Sequence, residues 1–261
     1  MTPALPLKAL FAATVSGAGQ VAIPTLGYAA GFVGATVLMM WGAGALPETT
    51  AGTIGFLLVV AASIAAHSLF SAVMYRRLVP SEGTLPNAVW KLTFAWALIV
   101  VVAAILATAI VLFFSLIGSS LGVVSGEAGQ DITDMTAQMR AGGTFYPLFA
   151  LFLLTLLGVF WFTVRMMLFA VASASRGAVH VFRTWSWTKG HAFPMALGAL
   201  VFIVAPISVL GTIAANLVDG GMHIAVSTGI VVLLQVPAAW LGHAFAAAVY
   251  VRLSPPNSNA G

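Results

Sequence analysis

Residues 92–121 read LTFAWALIVVVAAILATAIVLFFSLIGSSL, thirty residues without a charged side chain. A hydrocarbon core about 30 Å thick needs roughly 20 consecutive apolar residues in a helix. Backbone N–H and C=O groups find no water there and have to pair within the segment, which an α-helix achieves. This stretch alone predicts a membrane-spanning helix.

Five further stretches have the same character. Together with the first, they predict transmembrane helices at about residues 20–46, 53–78, 92–121, 145–168, 192–217 and 224–251. We expect no attached soluble domain, so residues 1–253 are interpreted as one six-helix transmembrane domain, with an interfacial helix before the first span. The tail, residues 254–261, lacks apolar side chains to bury and is expected to be disordered. The predicted fold class is an all-α membrane protein.

The composition of the whole chain agrees with this fold class. Of its 261 residues 61% are hydrophobic and 6% are charged, and the mean hydropathy is +1.07. A soluble domain carries roughly 25% charged residues, so a water-soluble enzyme is excluded. Because the sequence has no cysteine, it also excludes disulfides, thiolate metal sites and a cysteine nucleophile.

The charged residues sort onto two sides of the predicted helices. One side receives nine of the ten bases, namely Lys8, Arg76, Arg77, Lys91, Arg165, Arg176, Arg183, Lys189 and Arg252. The other receives Arg140 and five of the six acids, namely Glu48, Glu127, Asp131, Asp134 and Asp219. Lys and Arg accumulate on the cytoplasmic side of short loops, so both termini are expected to be cytoplasmic. The net charge of +4 then faces an anionic leaflet, and we expect no nucleic-acid partner.

A repeat is visible at the ends of the even-numbered spans. Arg77, Arg165 and Arg252 each close a span, at spacings of 88 and 87 residues. The pattern favours three tandem helical hairpins packed as a bundle, like the parallel repeats of some transporters. The alternative is that the accumulation of cytoplasmic bases by itself places an arginine at each of these ends.

The segment between the fourth and fifth spans carries both cations and aromatic residues. Residues 176–189 read RGAVHVFRTWSWTK, and helical spacing places the cations opposite Val179, Phe182 and Trp185. This predicts an interfacial amphipathic helix whose cations meet lipid phosphates. The predicted anionic-lipid site consists of Arg77, Arg165, Arg176, Arg183, Lys189 and Arg252. The alternative is a helix that only anchors the fold at the membrane surface.

Around this segment the sequence resembles a known family. Arg165 ends a span, LFAVA follows at 168–172, and RTWSWTKGH at 183–191 precedes the next span. This is similar to the membrane-domain family of bacterial glycerophosphodiester phosphodiesterases, in which a motif like Arg-Ser-Trp-x-x-Thr-Lys-Gly precedes a span. The resemblance covers residues 160–202 and elsewhere only the layout of the spans. It implies a multi-pass protein of the bacterial inner membrane with a lipid- or envelope-related role, and it supplies no catalytic residues.

Two histidines inside the spans are candidates for function, because ionisable groups are costly in a membrane. His67 and His243 each lie nine residues before an arginine, Arg76 and Arg252. At 1.5 Å per residue both lie about 14 Å from that edge. Three interpretations are open: histidines hydrogen-bonded within the core, a proton-sensing pair, or the axial ligands of a haem b. The sequence favours the first, and no cofactor is expected.

Other residues inside the spans have expected structural roles. Predicted bridges between helices come from Gln20, Asn216 and Gln235. Predicted kinks in the first, fifth and sixth spans come from Pro24, Pro206 and Pro237. Close helix approach, within the bundle or between subunits of a homo-oligomer, is predicted at Gly27, Gly31 and Gly34.

No constellation for catalysis is recognisable in the spans. They contain no carboxylate pair, no metal-ligand spacing and no serine with a paired base. The loop 119–144 is expected to form a surface helix, on which Asp131 and Asp134 are only weak cation candidates. We therefore expect a non-enzymatic protein that binds or organises anionic lipid or serves as an accessory subunit of a membrane complex. The alternatives are a small-molecule transporter with a central path and the haem-binding protein.

Overall fold

The computed structural model describes residues 6–46, 49–120, 137, 139–176, 178–218 and 222–255. Regular structure in these ranges is helical, and no β-strand occurs in them. The helices are α1 (Leu7–Ala22), α2 (Leu26–Ala45), α3 (Thr50–Leu78), α4 (Leu85–Ser120), α5 (Phe145–Met166), α6 (Phe169–Ser175), α7 (Thr184–Trp187), α8 (Ala192–Ala199), α9 (Ala205–Leu217) and α10 (Ile224–Leu253). A 3₁₀ turn, Ile23–Thr25, joins α1 to α2, and a π-helical turn, Leu200–Val204, joins α8 to α9.

The predicted all-α membrane fold is confirmed. In the part of the chain that the structure describes, six helical segments are long and apolar enough to cross a membrane, namely Leu7–Ala43, Thr50–Leu78, Leu85–Ser120, Phe145–Ser175, Ala192–Leu217 and Ile224–Leu253. The first begins well before residue 20, because α1 is continuous with the 3₁₀ turn. Large apolar side chains such as Leu116, Leu154 and Leu233 are exposed on these helices, as expected where lipid replaces water.

Contacts divide the chain into two compact units. One comprises residues 1–97 and 164–261, and the other comprises residues 98–163. In the first unit α1 and α2 pack along α10, α2 also packs on α3, and α9 packs on α10. In the second unit the rings of Phe114 on α4 and Phe152 on α5 meet edge to face, with centroids 6.2 Å apart. The two spans of each predicted hairpin are therefore in contact, as tandem hairpins require.

The core of the first unit is concentrated near the basic ends of its helices. On α3, buried residues cluster between Ser63 and Tyr75, whereas Gly52 is the one buried residue recorded before them. The largest fully buried side chains of this core include Phe70, Met74, Leu92, Leu168, Met195 and Phe245. The ends of the helices that carry the candidate site are therefore held by tight apolar packing.

Two of the three prolines for which kinks are predicted lie where the helix changes type. Pro24 lies in the 3₁₀ turn. Pro206 is at the start of α9, immediately after the π-helical turn. A proline has no N–H to donate and its ring displaces the preceding turn, so the backbone changes its hydrogen-bond spacing there. Pro237, in contrast, lies inside the uninterrupted helix α10.

The amphipathic helix predicted over residues 176–189 is not formed, and this expectation is corrected. Helix α6 ends at Ser175, and one short helix, α7 (Thr184–Trp187), follows after turns. The backbone groups are bound from elsewhere: Ser173 Oγ accepts the N–H of His180 at 3.0 Å, and Arg165 donates to the Trp185 carbonyl at 2.6 Å. These contacts replace the i to i−4 bonds of a continuous helix.

The glycines differ in what surrounds them. Gly27, Gly31 and Gly34 have open space where a side chain would begin. The close helix approach predicted for them is therefore not made within the described part of the chain. At Gly198, in contrast, a Cβ would overlap the ring of Phe245. That ring is fully buried and stacks on Phe202, with centroids 5.4 Å apart.

We predict that Gly198→Ala destabilises the protein by about 1–3 kcal/mol, because the enclosed Phe245 ring has nowhere to move. Thermal unfolding in detergent should show a lower Tm than for wild type. Gly31→Ala is the matched control, since its methyl group enters open space and alanine favours the helix. An equal Tm for the two variants would contradict the packing of Phe245 on Gly198.

Candidate functional site

The candidate site is the surface of the first unit where the basic residues gather. All nine bases that the sequence places on one side belong to this unit, and Arg140 belongs to the other. Hydrogen bonds join the neighbouring chain segments: the N–H of Glu82 donates to the Ser175 carbonyl at 2.8 Å. We call this surface the basic end, carrying Lys8, Arg76, Arg77, Lys91, Arg165, Arg176, Arg183, Lys189 and Arg252.

Arg165 is buried and serves the fold. One guanidinium N–H donates to the Trp185 carbonyl at 2.6 Å, and the guanidinium lies over the Trp185 ring, 4.6 Å from its centroid. Thr188 Oγ1 lies 3.4 Å from the Arg165 carbonyl and 3.0 Å from that of Trp185. Arg165 therefore ties α7 to the end of α5, and its side chain is not exposed for a headgroup.

Arg176 is also bound within the protein. Its Nε–H donates to the Tyr250 hydroxyl oxygen at 2.8 Å, and a second N–H donates to the carbonyl of Pro255. The guanidinium lies over the Trp187 ring at 4.7 Å, a cation–π contact. Ser175 Oγ donates to the same Tyr250 oxygen at 2.9 Å. Arg176 therefore joins the end of α6 to the end of α10.

The six predicted lipid-binding residues thus fall into two groups. Arg252 donates to the carbonyl of Ala248 in its own helix at 3.1 Å, and with Arg165 and Arg176 it forms the bound group. Arg77, Arg183 and Lys189 are exposed, and their side chains make no hydrogen bond or ion pair to any other residue that the structure describes. These three form the free group.

Exposed apolar side chains accompany the free group. Val179, Phe182 and Trp185 are 38%, 57% and 36% exposed, in the same segment as Arg183 and Lys189. Exposed apolar groups beside exposed cations are typical of a surface at the boundary between headgroups and acyl chains. The segment can therefore meet lipid without forming the continuous helix that its periodicity predicts.

His180 lies beneath this surface. It is 7% exposed, and its ring packs against that of Trp187, with centroids 6.0 Å apart. Burial lowers the pKa of His180, and the positive charges of Arg176 and then Arg183 lower it further. The imidazole is therefore neutral at pH 7, and the positive charge of the basic end comes from its lysines and arginines.

The intramembrane histidines meet across two helices. His67 of α3 and His243 of α10 have ring centroids 6.0 Å apart. Ser71 Oγ lies 2.7 Å from His243 Nε2 and 3.5 Å from His67 Nε2. The expectation of hydrogen-bonded core histidines fits this arrangement. Ser71 was not among the residues predicted from the sequence, although its position four residues after His67 places both side chains on one face of α3.

Haem ligation and a central transport path fit this arrangement less well. Both Nε2 atoms, which would coordinate iron, face the Ser71 hydroxyl instead. The rings of Phe32, Phe70, Tyr75 and Trp96 surround the pair, and each has its centroid 4.9–5.8 Å from that of one imidazole. A porphyrin or a water-filled path between the imidazoles would have to displace these rings. Both alternatives stay predictions without a supporting contact.

The predicted helix bridges are realised at one of three positions. Gln235 Nε2 of α10 donates to the Ile207 carbonyl of α9 at 3.2 Å. Asn216 and Gln20 bond within their own helices, to Thr212 and Ser16 respectively. The acids Glu48, Glu127, Asp131, Asp134 and Asp219 lie outside the described residues, as do residues 256–261 of the tail. In the described ranges no group of three His, Asp or Glu side chains is placed to hold a metal ion.

No protein family, curated protein or solved structure matches the chain. The resemblance to the membrane domain of glycerophosphodiester phosphodiesterases therefore stays a prediction.

We predict that His180 lowers the stability of the folded protein in mild acid. Its pKa is lower in the folded than in the unfolded protein, so the unfolded chain binds the proton more readily and stability falls as the pH drops below about 6.5. The variant His180→Gln should lose less Tm than wild type between neutral and mildly acidic pH. Equal losses for wild type and His180→Gln would refute the assignment.

Proposed function

We propose that the chain is a non-enzymatic multi-pass protein of the bacterial inner membrane, and that its basic end binds anionic phospholipid on the cytoplasmic side. The observation that carries the proposal is the free group: Arg77, Arg183 and Lys189 are exposed cations without a partner among the described side chains. The resemblance of residues 160–202 to the membrane-domain family of bacterial glycerophosphodiester phosphodiesterases, which implies a lipid- or envelope-related role, supports the same proposal.

The bound group fixes the chain segment that carries the exposed cations Arg183 and Lys189. Arg165 and Arg176 hold α7 and the neighbouring turns against the ends of α5 and α10. These contacts fix the backbone of the segment. Binding of lipid by Arg183 and Lys189 therefore avoids the loss of conformational entropy that ordering a mobile loop would require. Each cation near an anionic leaflet contributes about 1 kcal/mol to lipid association.

The test is retention of phospholipid by purified protein in native mass spectrometry. The triple variant Arg77→Ala, Arg183→Ala, Lys189→Ala should bind phosphatidylglycerol on the order of 100-fold more weakly than wild type, because three contributions of about 1 kcal/mol are lost. Binding of phosphatidylcholine, which has no net charge, should be weak for both proteins.

The matched control keeps the charges and changes the side chains. The triple variant Arg77→Lys, Arg183→Lys, Lys189→Arg should retain phosphatidylglycerol within a few-fold of wild type, since the contribution comes mainly from charge. Equal retention by the alanine variant and the charge-keeping variant would refute the proposed function.

The proposed orientation is tested separately. The chain has no cysteine, so a single introduced thiol reports its own side of the membrane. Ser186→Cys, at an exposed position of the basic end, should react with a membrane-impermeant maleimide only after the cells are opened. Ala141→Cys, exposed in the other unit, should react in intact cells with a permeabilised outer membrane. Reaction of Ser186→Cys in such intact cells would reverse the assigned orientation.

A further inference from the structure

The hydrogen bonds between α3 and α10 have a defined direction. His243 Nδ1 lies 2.7 Å from the carbonyl oxygen of Ala239. A carbonyl oxygen can only accept, so Nδ1 carries the proton and Nε2 of a neutral His243 is an acceptor. Ser71 therefore donates its hydroxyl proton to His243 Nε2 over 2.7 Å. Its oxygen in turn accepts from His67 Nε2–H, at 3.5 Å.

One ring nitrogen of the two histidines takes no part in these hydrogen bonds. In this arrangement His67 Nδ1 is an unprotonated acceptor, and it makes no hydrogen bond to any residue that the structure describes. His67 is also not fully buried. The chain of bonds thus begins at a basic nitrogen that is still able to accept a proton, and it ends at an imidazole on the neighbouring helix.

We infer that His67, Ser71 and His243 form a binding site for a single proton, which enters at His67 and is held on His243. A proton adds to His67 Nδ1. His67 Nε2 then passes its proton to Ser71 Oγ, while Ser71 passes its own to His243 Nε2. His67 ends as the neutral Nδ1–H form, Ser71 remains a neutral hydroxyl, and the positive charge is on His243. Proton transfer across the contact between His67 Nε2 and Ser71 Oγ, which is 3.5 Å long, requires the two atoms to approach to about 3 Å.

In the protonated state the donors of His243 and Ser71 also find acceptors. His243 Nδ1–H keeps the Ala239 carbonyl, His243 Nε2–H donates to Ser71 Oγ, and the Ser71 hydroxyl turns to donate to His67 Nε2. The same three side chains therefore accommodate both states by reversing two hydrogen bonds. A second proton is disfavoured, because two imidazolium rings with centroids 6.0 Å apart would repel each other.

The aromatic surroundings of the histidine pair make a positive charge on His243 energetically costly. Helix α2 contributes Phe32 to the contacts of the pair, α3 contributes Phe70 and Tyr75, and α4 contributes Trp96. The titratable group among these neighbours is the Tyr75 hydroxyl, and no carboxylate or cation is among the recorded contacts of either imidazole. A charge on His243 without a counter-ion favours a looser, more hydrated contact between α3 and α10. Proton binding is thereby coupled to the packing of these two helices.

The test uses the full-length protein in lipid nanodiscs with ¹⁵N-labelled histidine, whose signals report both tautomer and charge. The signals of the pair are assigned with His67→Gln and His243→Gln. At alkaline pH we expect His243 in the Nδ1–H form and His67 in the Nε2–H form. On acidification, one proton should bind, His67 should change to the Nδ1–H form, and His243 should become the imidazolium. The tautomer change of His67 is the signature of transfer, because simple protonation of either ring would not produce it.

Two serine variants distinguish proton transfer through Ser71 from a purely structural role of this residue. Ser71→Ala breaks the connection, so the coupled change at His67 and His243 should be lost. Ser68→Ala is the matched control: Ser68 is equally buried on α3, but its hydroxyl bonds to the Ile64 carbonyl of the same helix at 2.8 Å. Its titration should equal that of wild type. The wild-type signals decide the question alone if Ser71→Ala does not fold.

Three results would overturn the inference. The first is His243 in the Nε2–H form at alkaline pH, and the second is identical titrations for Ser71→Ala and Ser68→Ala. The third is the absence of protonation at either ring at every pH at which the protein stays folded. Phosphatidylglycerol retention by His67→Gln should match wild type, so the proton site and the lipid-binding end succeed or fail independently.

Discussion

The absence of water inside a membrane is the constraint on which this structure depends. Every backbone N–H and C=O group within the hydrocarbon has to find its partner in the protein, and a polar side chain there is under the same pressure. Threonine hydroxyls accordingly bond to the carbonyl four residues earlier, as Thr14 does to Leu10 at 2.8 Å and Thr36 to Phe32 at 2.9 Å. Bonds between helices are few in the described chain and therefore informative. Ser71 to His243, Gln235 to Ile207 and Trp240 to Thr25 each fix α10 against a different neighbour.

At the basic end, some arginines hold chain segments together, whereas other cations keep their charge exposed. An arginine that stacks on tryptophan and donates to a backbone carbonyl loses its freedom to follow a lipid, but it fixes the segment around it. The exposed cations Arg77, Arg183 and Lys189 keep their charge available. The planar guanidinium suits the first duty, since it can stack and donate at once. Arg165 and Arg176 both have this geometry.

The spans were predictable from the sequence because length and apolar composition suffice for them, and the 3₁₀ turn at Pro24 follows from the missing N–H of proline. The conformation of residues 178–189 was predictable only in part. The spacing of Arg176, His180 and Arg183 is helical, yet Ser173 and Arg165 bind its backbone from other elements, and such contacts leave no periodic signal. The division of the arginines into bound and free groups, and the role of Ser71, depend on the same long-range geometry.

The π-helical turn at Leu200–Val204 gives the fifth span one residue that a regular helix would not need. Such a turn contains one residue more than an α-helical turn. Deleting a single residue there would let the two halves merge into a regular helix, and α9 would keep nearly the same orientation relative to α8, because one full turn replaces another. The Ile207 carbonyl would then stay close to the Gln235 amide. A deletion within a regular α-helical stretch would instead rotate the residues beyond it by about 100°. The fifth span is therefore expected to tolerate the loss of one residue in this turn better than a loss elsewhere along its length.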